Sequence, residues 1–355
     1  MSSTPFFSIV IPTYNRAAEI QSTIRSIQEQ DFKDFEILIF DNNSSDDTSE
    51  IVKKIQDPRI KYSKNKCNIG LTKNIENAIL SIEGKYIITQ GDDDILLYRD
   101  SLSKIHDLII KKNVGFMRLN ILSKDRSNTK IKHVWIDEKK DLYIKPHSNA
   151  LKIVNFLEKT NCIFISGLVF KNENITKNDF INSELSPWFN ILFNQITKCG
   201  GYFISHLFVV ASWSGPGNAC IYLDKKTKEP FFKNYFVNIT ENLLSQIEAK
   251  TYEDHFIKRI INDSLFILPA IKYVSNNKNL TDYKDGLKKF NDKISSSIKF
   301  KFFYFVSLLL PKYFIDKIRD NIHLIRKDTN LLIADIVNRN KAKEIEKRYE
   351  EIINN

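Results

Sequence analysis

The chain has 355 residues, of which 42% are hydrophobic and 27% charged, and its formal net charge is +10. That length exceeds one typical domain and the composition is that of an ordinary globular protein, so a large domain plus something smaller is expected, with no shortage of core. The positive balance implies an anionic partner (nucleic acid, a phosphorylated small molecule or an anionic membrane surface) unless it is only a lysine-rich background.

Cys67, Cys162, Cys199 and Cys220 form no CxxC pair and have no His at zinc-ligand spacing, which excludes a structural zinc motif and predicts reduced thiols in the cytoplasm. The first apolar stretch, residues 6–11, stops at Pro12, too short for a signal peptide. No run of about 18 apolar residues predicts a membrane-spanning helix.

In chain order, Ser8-Ile9-Val10-Ile11 predicts a buried strand that leaves the sheet at Pro12-Thr13-Tyr14-Asn15-Arg16. Ile20, Ile24 and Ile27 recur on one helical face. Residues 35–40 predict a second strand ending in Asp41-Asn42-Asn43-Ser44-Ser45-Asp46-Asp47, followed by a helix from Thr48 to Ile55 and a short strand at Ile60-Lys61-Tyr62. Asn68-Ile69-Gly70 opens a helix through Ile75, Ala78, Ile79 and Ile82. The strand Tyr86-Ile87-Ile88-Thr89 then runs into Gly91-Asp92-Asp93-Asp94. This β-α-β-α-β-α-β alternation predicts a mostly parallel sheet with helices on both faces, and ligands of such sheets bind at the carboxyl ends of the strands. The polar bursts all fall there.

Further along, residues 114–119, 162–165 and 202–210 predict strands, and 150–157 and 187–198 predict helices. Residues 213–218 predict a loop. Beyond about 230 glycine nearly vanishes and amphipathic helices dominate. The last stretch, 340–355, reads as a charged, solvated helix.

Three consecutive carboxylates repel one another, and a divalent cation is a compact way to compensate them; a solvated acidic turn or helix cap is the bland alternative. Tyr14 offers a flat face for a base and Arg16 a cation for phosphate, although Asn15 could simply cap a helix. Asp41 and Asn42 could accept from a nucleoside, while Ser45 or Asp46 could cap the next helix. Asn68, Gly70 and Asn74 stand at a helix start, where N–H groups meet anions. No GxxxxGK[ST], GxGxxG or GxSxG motif occurs, which disfavours P-loop hydrolysis, NAD binding and that type of hydrolase.

In this order and spacing, residues 8–16, 41–46, 68–70 and 84–94 closely resemble family 2 glycosyltransferases of the GT-A fold, over about the first 100 residues well and the next 120 weakly. The resemblance implies a Rossmann-like α/β sheet and inverting sugar transfer from a nucleoside diphosphate donor, UDP- or dTDP-linked, with Mg²⁺ or Mn²⁺. It places the donor at Pro12, Thr13, Tyr14, Asn15, Arg16, Asp41, Asn42, Asn68, Gly70, Asn74 and Asp92, and the metal at Asp93 and Asp94. The family's Asp-x-Asp is altered, since Gly91 stands at its first position and Asp93 at its last. Asn42 likewise replaces an acid common in relatives. No Glu-Asp pair precedes the last catalytic helix, so Glu184 is the candidate base, with Asp179 second; an ordinary first-turn acid is the alternative for Glu184. Trp188 and Trp213 are candidate sugar platforms, against buried packing.

The implied organisation is a GT-A domain over 1–228, with a nucleotide-sugar half at 1–95 and an acceptor half at 96–228, then a helical extension over 229–355. Residues 293–327 hold eight Lys or Arg around the apolar stretch 299–312, which fits an interfacial helix on an anionic membrane as well as a core helix. The expected protein is a cytoplasmic glycosyltransferase, peripheral on the inner face of the membrane, with a glycan or lipid-linked acceptor, a role in surface polysaccharide synthesis and no nucleic acid. A nucleotidyltransferase and a degenerate, non-catalytic binder are the alternatives.

Overall fold

The computed structural model describes residues 4–125, 128–134, 136, 138–181, 186–213, 233–274, 277–311, 314 and 339–354. The first half follows the predicted alternation: β1 Phe7–Thr13, α1 Ile20–Gln28, β2 Phe35–Asp41, α2 Thr48–Lys54, β3 Ile60–Lys64, α3 Leu71–Leu80 and β4 Tyr86–Thr89. β1 and most of β2 are buried because helices cover both faces of the sheet, so their sequences are continuous apolar runs. α1 forms where isoleucine recurs every three or four residues, and Ile20, Ile24 and Ile27 are fully buried.

β1 pairs in parallel with β2, from Phe7 opposite Phe35 to Thr13 opposite Asp41, and with β4, from Phe7 opposite Tyr86 to Val10 opposite Thr89. These registers bring the carboxyl ends of three strands to one edge. The chain continues through β5 Ile95–Leu96, α4 Ser101–Lys112, β6 Phe116–Asp125, β7 Asn128–Val134, β8 Leu142–Ile144, α5 Ala150–Lys159, β9 Leu168–Lys171, α6 Phe189–Cys199 and β10 Gly201–Trp213. The ten-stranded sheet has the order β3-β2-β1-β4-β9-β6-β10-β5, with β7 on β6 and β8 on β10. Its first four strands are parallel. The remainder is mixed, because β9 runs antiparallel to both β4 and β6.

The predicted strand at 162–165 is absent. Those residues form turns: Cys162 N–H donates to the Leu157 carbonyl at 2.9 Å, and the strand begins at Leu168. Cys162 is fully inaccessible, while Ile163, Phe164 and Ile165 are half-buried.

Two compact units are present, and the division departs from the predicted boundaries. The sheet unit also takes α12, Arg339–Asn354, from the far end of the chain. Expected to be solvated, α12 is packed: Ile345, Tyr349 and Ile352 are fully buried with Leu97, Leu122, Val134 and Phe208. Arg348 completes the seam, its Nε donating to the Leu97 carbonyl at 3.2 Å and its Nη2 reaching Glu29 at 2.5 Å.

The other unit is helical: α7 Lys233–Val237, a π-helical turn Asn238–Leu243, α8 Gln246–Val274, α9 Asn277–Phe290, α10 Asp292–Ser296 and α11 Ile298–Leu309. Its core is aromatic, with the Phe236 ring 4.8 Å from Phe256 and 5.0 Å from Phe290.

Candidate functional site

The β1–α1 loop is tied to the loop after β2 by side chains that accept its backbone N–H groups. Asn15, left-handed at φ 54°, donates to Ser44 Oγ at 2.9 Å; Arg16 N–H donates to Thr48 Oγ1 at 2.9 Å and Ala17 N–H to Asp46 at 3.0 Å. Asn15 returns the contact by accepting from Ser45 N–H at 2.8 Å. Burial opposes the charge on Asp46, yet the donors from Thr48 and Ala17 hold its pKa below the usual carboxylate value. Of the predicted donor residues on this loop, Pro12 and Thr13 end buried β1, and Tyr14 is 46% exposed.

Asp41 lies beneath this junction and is fully buried. It accepts from Ser44 N–H at 2.6 Å and from the Tyr62 hydroxyl at 2.5 Å, and burial together with that carboxylate pushes the phenol pKa up to about 12. Asn42 joins an amide network: its Nδ2 donates to Asn68 at 2.8 Å, while its Oδ1 accepts from Ile69 N–H at 2.9 Å and from Asn65 at 3.2 Å. Asn65 also donates to Asn74, whose own amide donates to the Phe40 carbonyl, both at 2.9 Å. Asp41, Asn42 and Asn74 therefore shape the floor of the site with their polar atoms already partnered. Asn65 was missed in the sequence because it sits outside every motif. Gly70 adopts φ +84° at the start of α3, a conformation that other residues rarely take.

The Gly91–Asp94 turn closes the site from β4. Arg16 Nε lies 3.2 Å from Asp92 and its Nη2 lies 3.8 Å from Asp93, so this guanidinium balances two of the three carboxylates. Asp92 also accepts weakly from Tyr14 N–H, at 3.4 Å, and its backbone carbonyl takes the Thr23 hydroxyl at 3.0 Å. Burial pushes the Asp92 pKa up to about 6, with Arg16 opposing the rise and Asp93 reinforcing it. Burial likewise opposes the charge of Arg16, but Asp92 and Asp93 hold its pKa above the ordinary value.

Asp94, expected beside Asp93 as a second metal ligand, lies deeper in the turn. It is 2% exposed and accepts a short hydrogen bond from the Ser166 hydroxyl, which in turn accepts from Gly91 N–H at 2.7 Å. A Cβ on Gly91 would stand 2.6 Å from Asp94 Oδ2 and 3.0 Å from Ser166 Oγ. The Asp94 carboxylate occupies the space that a side chain at Gly91 would need. Beneath this layer the fully buried Arg118 donates to the carbonyls of Thr160 and Asn161, each at 3.0 Å, and to that of Ser166. Desolvation pulls the Arg118 pKa down to about 10.

Other predicted residues fall elsewhere. Asp179 serves as a cap: it accepts from the Thr176 N–H at 2.8 Å, the Thr176 hydroxyl at 2.9 Å and Asn194 Nδ2 at 2.9 Å, which leaves it poorly suited to act as a base. Trp188 is 2% exposed and donates from Nε1 to the Cys162 carbonyl at 2.8 Å, so it packs and offers no open face to a sugar. Glu184 lies outside the described residues, and so does the side chain of Trp213. Among the described residues no cluster of three or more acids, His or Cys is arranged as a metal site. Asp92 and Asp93 nevertheless offer adjacent hard oxygens at the open edge, a donor set that suits Mg²⁺ or Mn²⁺ when substrate phosphate and water complete the shell.

Residues 8–171 match the model described as Glycosyl transferase family 2. Among curated proteins, a GalNAc(5)-diNAcBac-PP-undecaprenol beta-1,3-glucosyltransferase of Campylobacter jejuni is 39% identical over 115 residues, 32% of this chain and 36% of that protein. The match thus spans little more than a third of that relative. Among solved structures, S. aureus TarS 1-349 in complex with UDP has a TM-score of 0.54 at 17% identity, over 89% of this chain and 91% of that one. The mannosyltransferase PcManGT of Pyrobaculum calidifontis, in complex with GDP-Man and Mn²⁺, has a TM-score of 0.50 at 14% identity, over 99% of this chain and 86% of that one. At these identities the two structures speak to the fold.

Proposed function

We propose, from the match of residues 8–171 to the glycosyl transferase family 2 model, that this chain transfers a sugar, with inversion, from a UDP- or dTDP-linked donor to a glycan or lipid-linked acceptor in surface polysaccharide synthesis. The observation that carries the reading is the Arg16–Asp92–Asp93 cluster at the carboxyl edge of the parallel strands, beside exposed Tyr14. Tyr14 supplies a stacking face for the base, and Arg16 exchanges its carboxylate partners for the diphosphate. Asp93, assisted by Asp92, holds Mg²⁺ or Mn²⁺. The bound ion would neutralise charge that develops on the leaving diphosphate.

Inverting transfer also needs a carboxylate to take the acceptor proton, and Glu184 is the proposed base now that Asp179 is committed to its cap. The undecaprenol-linked substrate named for the Campylobacter relative supports a lipid-linked acceptor, which would bring this chain to the inner membrane face as a peripheral protein. The nucleotides and Mn²⁺ bound by the two structural neighbours support the donor class and the metal.

The test is calorimetry and donor turnover with UDP- and dTDP-sugars in the presence of Mn²⁺. Asp93→Ala should abolish metal-dependent donor binding while the fold survives. Glu184→Gln should retain binding and lower turnover by a factor of about a hundred or more. Unchanged affinity in the first variant would refute the metal assignment, and normal turnover in the second would refute the base. Release of pyrophosphate in place of the nucleoside diphosphate would identify a nucleotidyltransferase.

A further inference from the structure

Helix α11 is held to the helical unit by one face and leaves a strongly apolar face open. Phe300 and Ser307 are buried, whereas Ile298 is 88% exposed, Phe302 and Phe305 are each 60% exposed and Leu309 is 66% exposed. At about 100° per residue, these four exposed positions fall within a sector of roughly 60°. The buried pair lies on the opposite side. Four large apolar side chains aligned this way constitute a surface, unlike the single exposed hydrophobics that are normal for any protein.

The charges identify the occupant. Lys301 falls about 70° to one side of the stripe centre and Lys299 about 90° to the other, so the two lysines flank it. Lys299 Nζ reaches Asn262 at 2.7 Å, and both lysine residues are exposed. No acidic residue occurs between Ile298 and Leu309. Lysines on this arc can stay at the level of lipid headgroups while the ring face enters the acyl boundary. Twelve residues make a helix only about 18 Å long, shorter than the hydrocarbon core of about 30 Å. Among the described residues no helix is long and apolar enough to cross a membrane. The predicted basic stretch 293–327 is only partly described, and the surface defined here needs none of residues 312–327.

We infer that the Ile298–Phe302–Phe305–Leu309 face of α11 docks the protein on an anionic lipid surface, lying in the plane of the interface with Lys299 and Lys301 at the headgroups. This takes up the membrane-borne acceptor of the proposed function but is read without donor or metal, so either can fail while the other stands.

The full chain is sedimented with phosphatidylcholine vesicles with and without phosphatidylglycerol, at low and high salt. Binding is expected on the anionic vesicles and should weaken with salt. The Phe302→Ser/Phe305→Ser protein should lose about tenfold or more of its partitioning with an unchanged melting temperature, because both rings are already in water. Ile298→Ser/Leu309→Ser should do the same independently. Lys299→Ala/Lys301→Ala should abolish the preference for anionic lipid. Absence of vesicle binding by the unmodified chain, or full binding by both apolar double variants, would overturn the inference. So would a dimer, seen by light scattering, that those variants dissociate, since the face would then join two copies of this chain.

Discussion

Replacing Asp92 by Asn should make the protein more stable above pH 6 and less able to bind donor. Burial raises the Asp92 pKa from its ordinary 3.8 to about 6. The native chain therefore keeps this proton in a range where the unfolded chain has released it, so its stability falls as pH rises through that window. At about 1.4 kcal/mol for each tenfold change in proton affinity, the gap corresponds to about 3 kcal/mol. Asn cannot ionise and is free of this penalty, while its amide oxygen can still accept from Tyr14 N–H and Arg16 keeps Asp93 nearby. The attraction between ionised Asp92 and Arg16 is already contained in that pKa, so its loss in the variant adds no separate pH-dependent contribution. Urea denaturation of both proteins in EDTA between pH 4 and pH 8 isolates the effect, because other titrating groups cancel in the difference. The difference should move in favour of Asp92→Asn by about 3 kcal/mol across the window, and added Mn²⁺ should recover stability only for the unmodified chain. A pH-independent difference would show that Asp92 ionises at little cost, removing the argument that this turn awaits a cation.

Tyr349→Ala should cost about 3–5 kcal/mol in urea denaturation, the scale for emptying a buried aromatic site; a change within about 0.5 kcal/mol would return α12 to the status of a solvated tail. Gly91→Ala should cost about 1–3 kcal/mol by crowding Asp94 and Ser166 and should weaken donor binding, as measured by thermal melting and calorimetry. Normal stability and affinity in that variant would mean that the Asp94–Ser166 contact yields freely.

The local pattern carried a large share of the donor-side architecture. Strands β1, β2 and β4 and the turn after β4 were legible because two-sided burial imposes continuous apolar runs, and because a strand must end where proline or a polar burst begins. The identities of Arg16, Asp92 and Asp93 were legible as chemistry. Their pairing was not: Arg16 and Asp92 are 76 residues apart in sequence and meet only through the β1–β4 register.

Three readings changed for related reasons. The apolar residues 162–165 looked like a strand, since a short apolar run cannot distinguish a strand from a buried turn; the turn is tied down by Trp188 and by Arg118 bonds to neighbouring carbonyls. The last helix looked solvated because Ile345, Tyr349 and Ile352 are widely spaced among charges, and their burial depends on sheet residues more than a hundred positions earlier. Trp188 looked like a sugar platform on residue type alone, whereas its indole N–H is used inside.

The altered aspartate motif divides the same way. Sequence alone determined that the fourth strand runs into three carboxylates preceded by glycine, since strand periodicity and residue chemistry are local properties. Only the tertiary structure separated their roles, with Asp92 and Asp93 set against Arg16 at the open edge and Asp94 locked beneath them to Ser166. Desolvation and hydrogen bonding depend on which distant residue arrives beside each carboxylate, and that is decided by how the chain folds back on itself.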